Sequence, residues 1–373
     1  MNNTFKRSLV TLAVTASLSL AANSVIAADS STSGFIIGKA QSAQGNTIAG
    51  ATITIKNKAT GLTRTITTSE SGSYKFPLIP AGQYDITAEK NGFIISNQED
   101  VRVSIGSKTN INMILATNQS EVESIEVRGA QLARLDTTSS ESLMIVDQEL
   151  LSRIPVARDV TSVALLAPGT NKGDSDFGNL TSFGGSSVGE NTFYVNGMNV
   201  TNFRNGLGGT DVPFEMYDSF EVKTGGYSAE FGRSTGGVVN ATTKRGTNEF
   251  KWGASVYLEP SSLRASQPDT LRTNADAITE AGTAYYVVNN QDDIGENNYN
   301  LWASGALIED KLFFFGLVNQ QTRVSDYATS SNAYERDAND TFLGLKLDYY
   351  INENNILEFT AFDSSSDLDS SKY

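Results

Sequence analysis

From residue 250 onward the chain alternates. Phe250, Trp252, Ala254, Val256 and Leu258 hold one parity, and Lys251, Gly253, Ser255, Tyr257 and Glu259 the other. A period of two sends successive side chains to opposite faces, so these residues predict a strand with one apolar and one mostly polar face. A long acidic and polar stretch, 260–298, comes next, then strands near 299–308 and 312–320 joined by the tight turn Glu309, Asp310, Lys311. A second long polar loop leads to 341–351, where Leu343, Leu345, Leu347 and Tyr349 oppose Gly344, Lys346, Asp348 and Tyr350. A short turn at 352–355 precedes a strand over 356–362. Phe313, Phe314 and Phe315 run together without alternation, so the pattern assigns them no face.

Two other grammars precede this one. Residues 33–116 carry short alternating runs such as 51–56 and 84–89, with turn signals between them at Gly61, Gly72, Gly82 and Gly92. That spacing predicts an Ig-like or transthyretin-like β-sandwich. Its aromatic residues Tyr74, Phe76, Tyr84 and Phe93 could form a binding platform, although core packing is the commoner role for such side chains. Residues 147–151 and 158–166 predict two short helices, stopped ahead of Pro155 and by Pro168-Gly169. Between 192 and 249 the apolar runs 193–195, 220–222 and 238–239 are each bounded by glycine-bearing turns. Asn196-Gly197 tolerates positive φ at both central positions and favours a two-residue type I′ hairpin.

The fold expected is therefore mainly β. It has an N-terminal sandwich over 33–116, a linker over 117–135, a mixed α/β unit over 136–248, and strands over 249–373. Strands of about ten residues with long loops at one end and short turns at the other follow the layout of an outer-membrane β-barrel. Tyr299, Tyr349 and Tyr350 are candidates for its interfacial girdles. Five strands cannot close a barrel of the plugged type, which needs about 22. The expected barrel is thus incomplete, this chain is read as the N-terminal part of a longer protein, and no pore is expected from it alone.

Composition removes most chemistry. The 373 residues include no cysteine and no histidine, and the formal net charge is -14. Disulfides, thiol nucleophiles, imidazole bases and Cys- or His-ligated metal sites are absent together. An acidic chain also lacks the basic face that nucleic acid would require. Asp174, Ser175 and Asp176 have the start of a calcium loop, but Gly178 and Gly185 fall where further ligands are needed, so no metal site is expected. No cofactor is implied. Residues 1–28 have the three parts of an export signal, with Lys6 and Arg7 before an apolar run and cleavage after Ala27 or Ala28. Losing those two cations would take the charge from -14 to -16.

Several ordered motifs then agree with one family. Glu221 on a strand, the turn Gly225-Gly226, the step Phe231, Gly232, Arg233, the pair Gly236-Gly237, a strand, and Thr243-Lys244 stand in the order found at the end of the plug domain. The sequence resembles the TonB-dependent outer-membrane receptors of the Oar-like branch. Asn196-Gly197 is similar to a second plug signature, in which Asp-Gly is more usual. The 72–84 run resembles a carboxypeptidase-regulatory-like domain, also grouped with carbohydrate-binding-like folds, which is an accessory module and no peptidase. By position, Ser124, Ile125, Glu126, Val127, Arg128 and Gly129 resemble the TonB box. A linker or plug strand is the equal alternative for these six residues.

The resemblance implies a receptor in the outer membrane, in contact with lipid, that binds an extracellular ligand and releases it inward when the inner-membrane TonB complex pulls on the box. No bond chemistry is implied. The alternative is a secreted or surface adhesin that uses the sandwich to bind carbohydrate.

Overall fold

The structure is a computed structural model that describes residues 32–117, 141–154, 156–173, 180–202, 204–210, 212–265, 270–271, 285–329, 332–353 and 355–373. The export signal, the 124–129 stretch and the 174–176 loop lie outside the described residues.

The N-terminal unit is a sandwich of two sheets. In the first, β1 (Ser33–Ser42) lies central, while the second holds β2 (Thr52–Asn57) and β3 (Thr63–Thr67). Next come β4 (Ser73–Pro80), antiparallel to β1, and β5 (Gly82–Glu89) and β6 (Ser96–Val103), which complete the order β3-β2-β5-β6. The short β7 (Lys108–Asn110) and β8 (Met113–Leu115) run parallel to β1. Ile53 and Ile55 face inward while Thr52 and Lys56 face water, as alternation requires. Tyr74, Phe76 and Tyr84 are buried in the core, the two tyrosines donating to the Ile111 carbonyl (2.6 Å) and the Pro80 carbonyl (2.7 Å). These aromatics are core residues and form no platform.

The second unit starts at β9 (Ser142–Asp147) and α1 (Gln148–Arg153), whose first turn is capped by Asp147 accepting from Leu150 N at 2.9 Å. Asp159 caps α2 (Val160–Ala164) in the same way, through Ser162 N at 2.7 Å. Then follow the hairpin β10 (Thr170–Lys172) and β11 (Thr181–Phe183), β12 (Thr192–Val195), β13 (Met198–Asn199), β14 (Tyr217–Gly225) and β15 (Val238–Thr243). Their main sheet has the order β13-β12-β15-β14-β9, with β12 and β15 parallel and β9 at one edge. Both β12 and β15 are buried along their whole length, as strands covered on both faces should be.

The third unit is an antiparallel meander of β16 (Lys251–Glu259), β17 (Thr270–Leu271), β18 (Tyr285–Ile308), β19 (Leu312–Thr329), β20 (Ala333–Asn352) and β21 (Asn355–Lys372). The order is β16-β18-β19-β20-β21, with β17 paired to β18, and the sheet is not closed. The alternation of β16 and β20 holds: Trp252 is 69% exposed, and Leu343 and Leu345 point outward while Gly344, Lys346 and Asp348 point inward. Three expectations fail here. Strands of about ten residues were expected, yet β18 has 24 residues and β20 has 20. The polar stretches 321–328 and 333–340 are paired strand. Polar side chains on both faces of those hairpins leave no alternation to detect, while Gln321 donating to Glu296 (2.6 Å) and Thr341 to Gln320 (2.7 Å) tie the ladder together. Tyr350, expected in an interfacial girdle, is instead 5% exposed and turned inward; Tyr299 and Tyr349 do face outward.

The inner face of the meander is covered by the second unit and, around Phe313, by Leu62 of the sandwich, which explains the phenylalanine run. Phe313 and Phe315 are buried on the inside, whereas Phe314 turns outward beside Phe250, with ring centroids 6.5 Å apart. Phe315, Leu317 and Phe342 share one apolar cluster with Val146, Phe220 and Val239. A sheet apolar outside and covered by a folded unit inside has no solvent-facing core to alternate against.

Candidate functional site

The signature residues gather around the ends of β12, β14 and β15. Asn196 (φ 48) and Gly197 (φ 78) make the two positive-φ positions of the β12–β13 turn. Asn196 Nδ2 donates to Thr243 Oγ1 and to Thr360 Oγ1, both at 2.8 Å, and its Oδ1 accepts from Thr243 N at 3.0 Å. One amide thus joins the turn to the end of β15 and to β21 of the meander. A carboxylate could not supply the Nδ2 donor, which gives a physical meaning to asparagine here.

β14 divides its side chains between two environments. Phe220 and Val222 enter the shared apolar cluster, while Glu221 and Lys223 share the other face. Glu221 is 1% exposed, accepts from Asn240 Nδ2 at 3.2 Å, and pairs with Lys223 Nζ at 3.1 Å. Lys223 also donates to Glu141 Oε2 at 2.8 Å and lies 4.8 Å over the Phe231 ring. Burial alone would pull the Lys223 ammonium down; Glu221 and Glu141 outweigh it and hold the pKa above the ordinary lysine value. Phe231 packs edge-on against Tyr194 with centroids 5.4 Å apart.

The glycines do different work. A Cβ on Gly237 would lie 2.2 Å from the Phe183 ring, and one on Gly236 would lie 2.4 Å from Asn191 Oδ1. Both therefore permit a close approach that no other residue could make. Gly226 has φ 70 in the turn after β14. Gly225 and Gly232 have open space where a Cβ would stand, and Arg233 (φ 66) is exposed beside them. Thr243 is buried, and burial lowers the neighbouring Lys244 ammonium, partly offset by Glu215 and Asp218.

Sequence reasoning missed the residue that follows. Arg245 reaches Glu358 Oε1 on β21 at 2.7 Å, and the other oxygen of that carboxylate stands 3.6 Å from Lys346 Nζ on β20. Burial would lower the Arg245 pKa, but Glu358 and Asp348 more than offset it and hold the guanidinium above its ordinary value. Asp218, close by, is pushed above the usual carboxylate range by burial, against the pull of Arg245, Lys244 and Lys346. At the far end, Arg158 pairs with Glu215 and stacks over Tyr257 of β16 with its guanidinium carbon 4.2 Å from the ring centroid. A cavity of about 940 Å³ opens there between the second unit and the inner strands, lined by Arg158, Glu215, Tyr257, Asn319, Arg323 and Asp340 among others. Among the described residues no three Asp, Glu, His or Cys side chains are placed to hold a metal ion. The constellation binds one unit to another by charge and close packing and has no nucleophile–base pair.

The chain is similar to known proteins. Residues 36–116 match the carboxypeptidase regulatory-like domain family, and residues 133–239 match the TonB-dependent receptor plug domain. The TonB-dependent transporter Oar of Myxococcus xanthus is 31% identical over 259 residues, which is 67% of this chain and 23% of that protein. This chain therefore spans about a quarter of its relative's length. Among solved structures, the ferric enterobactin receptor of Pseudomonas aeruginosa is 17% identical over 62% of this chain and 34% of its own, with a TM-score of 0.45. The alcaligin outer-membrane receptor of Bordetella pertussis is 14% identical over 63% and 40%, with a TM-score of 0.41. With a carboxypeptidase regulatory-like sandwich, a plug, and barrel strands wrapped around that plug, the chain belongs to the TonB-dependent receptor family.

Proposed function

We propose that the protein to which this chain belongs resides in the outer membrane and takes up a scarce extracellular ligand with energy delivered by TonB. One observation carries the reading: Phe315, Leu317 and Phe342 build the plug core from inside the sheet, while Trp252, Leu343, Leu345 and Phe359 of the same sheet stay exposed outside. Such an arrangement suits a plug held in a lipid-facing wall. Binding would occur on the plug and the strand ends beyond the bilayer, and the chain's own residues would bind and position the ligand without breaking bonds.

Ser124 to Gly129 would add as a strand to the edge of the periplasmic domain of TonB, with Ile125 and Val127 on one side and Glu126 and Arg128 on the other. A pull on that strand would rearrange the plug and open a route past Glu221 and Arg245. The adhesin alternative is not favoured, because three of the four sandwich aromatics it needs, Tyr74, Phe76 and Tyr84, are buried. A pull-down with the C-terminal domain of TonB tests the reading. The wild-type protein should be retained and Ile125→Pro lost, since proline removes a donor from the added strand. Equal retention of both, or fractionation away from the outer membrane, would overturn it.

A further inference from the structure

The sandwich is not a free appendage. It sits against the short-turn end of the meander and one face of the plug through several separate contacts. Asn248 N donates to the Ala59 carbonyl at 2.9 Å, and Arg102 pairs with Asp147, the last residue of β9, at 3.2 Å. Leu62 is 6% exposed and clusters with Phe313 and Tyr350 of the meander, outside the sandwich's own core. Two turns of the sandwich come so near that only glycine fits: a Cβ on Gly61 would lie 2.1 Å from Asp310 Oδ1, and one on Gly106 would lie 2.0 Å from Glu221 Oε1.

These contacts cover the β9 edge of the plug sheet. Glu221 pairs in register with Ile145 of β9, so the Gly106 turn lies over the seam between the plug's edge strand and its neighbour. The seam is closed loosely, for a cavity of about 280 Å³ remains between the three units, lined by polar groups including Arg102, Asp147, Asp218 and Arg245. A void of that size has room for water, so the contact between the units is split into separate patches, of which Leu62 against Phe313 and Tyr350 is the apolar one. The plug interior, by contrast, is closed around Val146, Phe220 and Val222, all at 0% exposure. Load applied between Thr117 at the end of the sandwich and Glu141 at the start of the plug therefore meets a small, divided contact on one side and a continuous apolar core on the other.

We infer that the sandwich is a reversible cap over the β9–β14 seam, and that it leaves the plug before the plug itself rearranges. The inference rests on the transport reading for what applies the load, but docking can be measured without it.

The test uses the full-length receptor with one cysteine at a time introduced into this chain, which has none of its own, and with any cysteine elsewhere replaced by serine. Leu62→Cys reports the covered face and leaves the sandwich core intact. Ile94→Cys, 46% exposed, reports a free surface of the same module. In cells de-energised with a protonophore, a small polar maleimide should label Leu62→Cys at least tenfold more slowly than Ile94→Cys. In cells growing on rich medium with TonB energised, the two rates should converge to within about threefold, and Ile125→Pro should restore protection. Equal rates at rest would show that the cap is not docked. Protection that persists in energised cells would show that it is not released. Neither result touches the TonB pull-down, so failure of the cap and failure of the receptor reading remain separable.

Discussion

Arg245 and Glu358 meet at 2.7 Å across the boundary between the last plug segment and β21, and Lys346 shares the same carboxylate from β20 at 3.6 Å. Removing one partner of a buried pair leaves an uncompensated charge and costs about 3–5 kcal/mol. Both side chains keep some solvent contact, at 15% and 23%, which favours the lower end of that range. Glu358→Gln should therefore weaken the plug's seating by roughly 3 kcal/mol, and more than Arg245→Lys, because it leaves Arg245 and Lys346 with Asp348 as their shared carboxylate. Urea-dependent protease cleavage of the plug in the solubilised receptor measures this.

Asp218 gives a pH-dependent outcome. Its folded pKa is raised above the unfolded value, mainly by burial, so its protonated form favours folding. The contribution is fully present below the unfolded pKa of about 3.9 and is lost as pH rises through the folded value. Asp218→Asn should stabilise the plug at neutral pH, with the gain vanishing at and below about pH 4. Denaturation midpoints at several pH values check the sign.

Gly237 and Gly232 both belong to the signature, yet they should respond differently. Gly237→Ala drives a methyl into the Phe183 ring and should cost about 1–3 kcal/mol. Gly232→Ala meets nothing within 4 Å and should stay within about 0.5 kcal/mol. Thermal unfolding of the two variants separates a packing requirement from a turn requirement.

Leu345 and Gly344 test which side of the wall faces hydrocarbon. Leu345→Arg would place a cation on the outward face, where such a change costs about 2–4 kcal/mol near the bilayer midplane. The expected readout is a lower yield of receptor assembled in the outer membrane. An unaffected yield would contradict the lipid-facing assignment.

Much of the architecture was written locally, and that part was legible. Alternation in β16 and β20 exposed the wall, and Asn196-Gly197 announced its turn, because both signals need only neighbouring residues. Phe313 to Phe315 defied assignment because both faces of β19 are apolar there, the inner one toward the sandwich at Phe313 and the plug at Phe315, the other outward at Phe314. Arg245 and Lys223 went unnoticed because their partners lie far off in the chain or one strand position away, and no short motif encodes such meetings. Lys223 did leave a trace, since it stands two residues from Glu221 and so shares its face. The seating of the sandwich left none: Gly61 and Gly106 look like ordinary turn glycines until Asp310 and Glu221 are brought against them.

The long hairpins beyond the apolar band carry one more consequence. Because 321–328 pairs with 333–340 as a pleated ladder and not as slack loop, parity governs its first strand: Gln321 and Arg323 line the cavity and Thr322 between them does not. Inserting a single residue there would exchange the lining set for the outer set all the way to the tip. Variation that retunes what this rim recognises should therefore arrive as substitutions, or as additions and losses of two residues at a time.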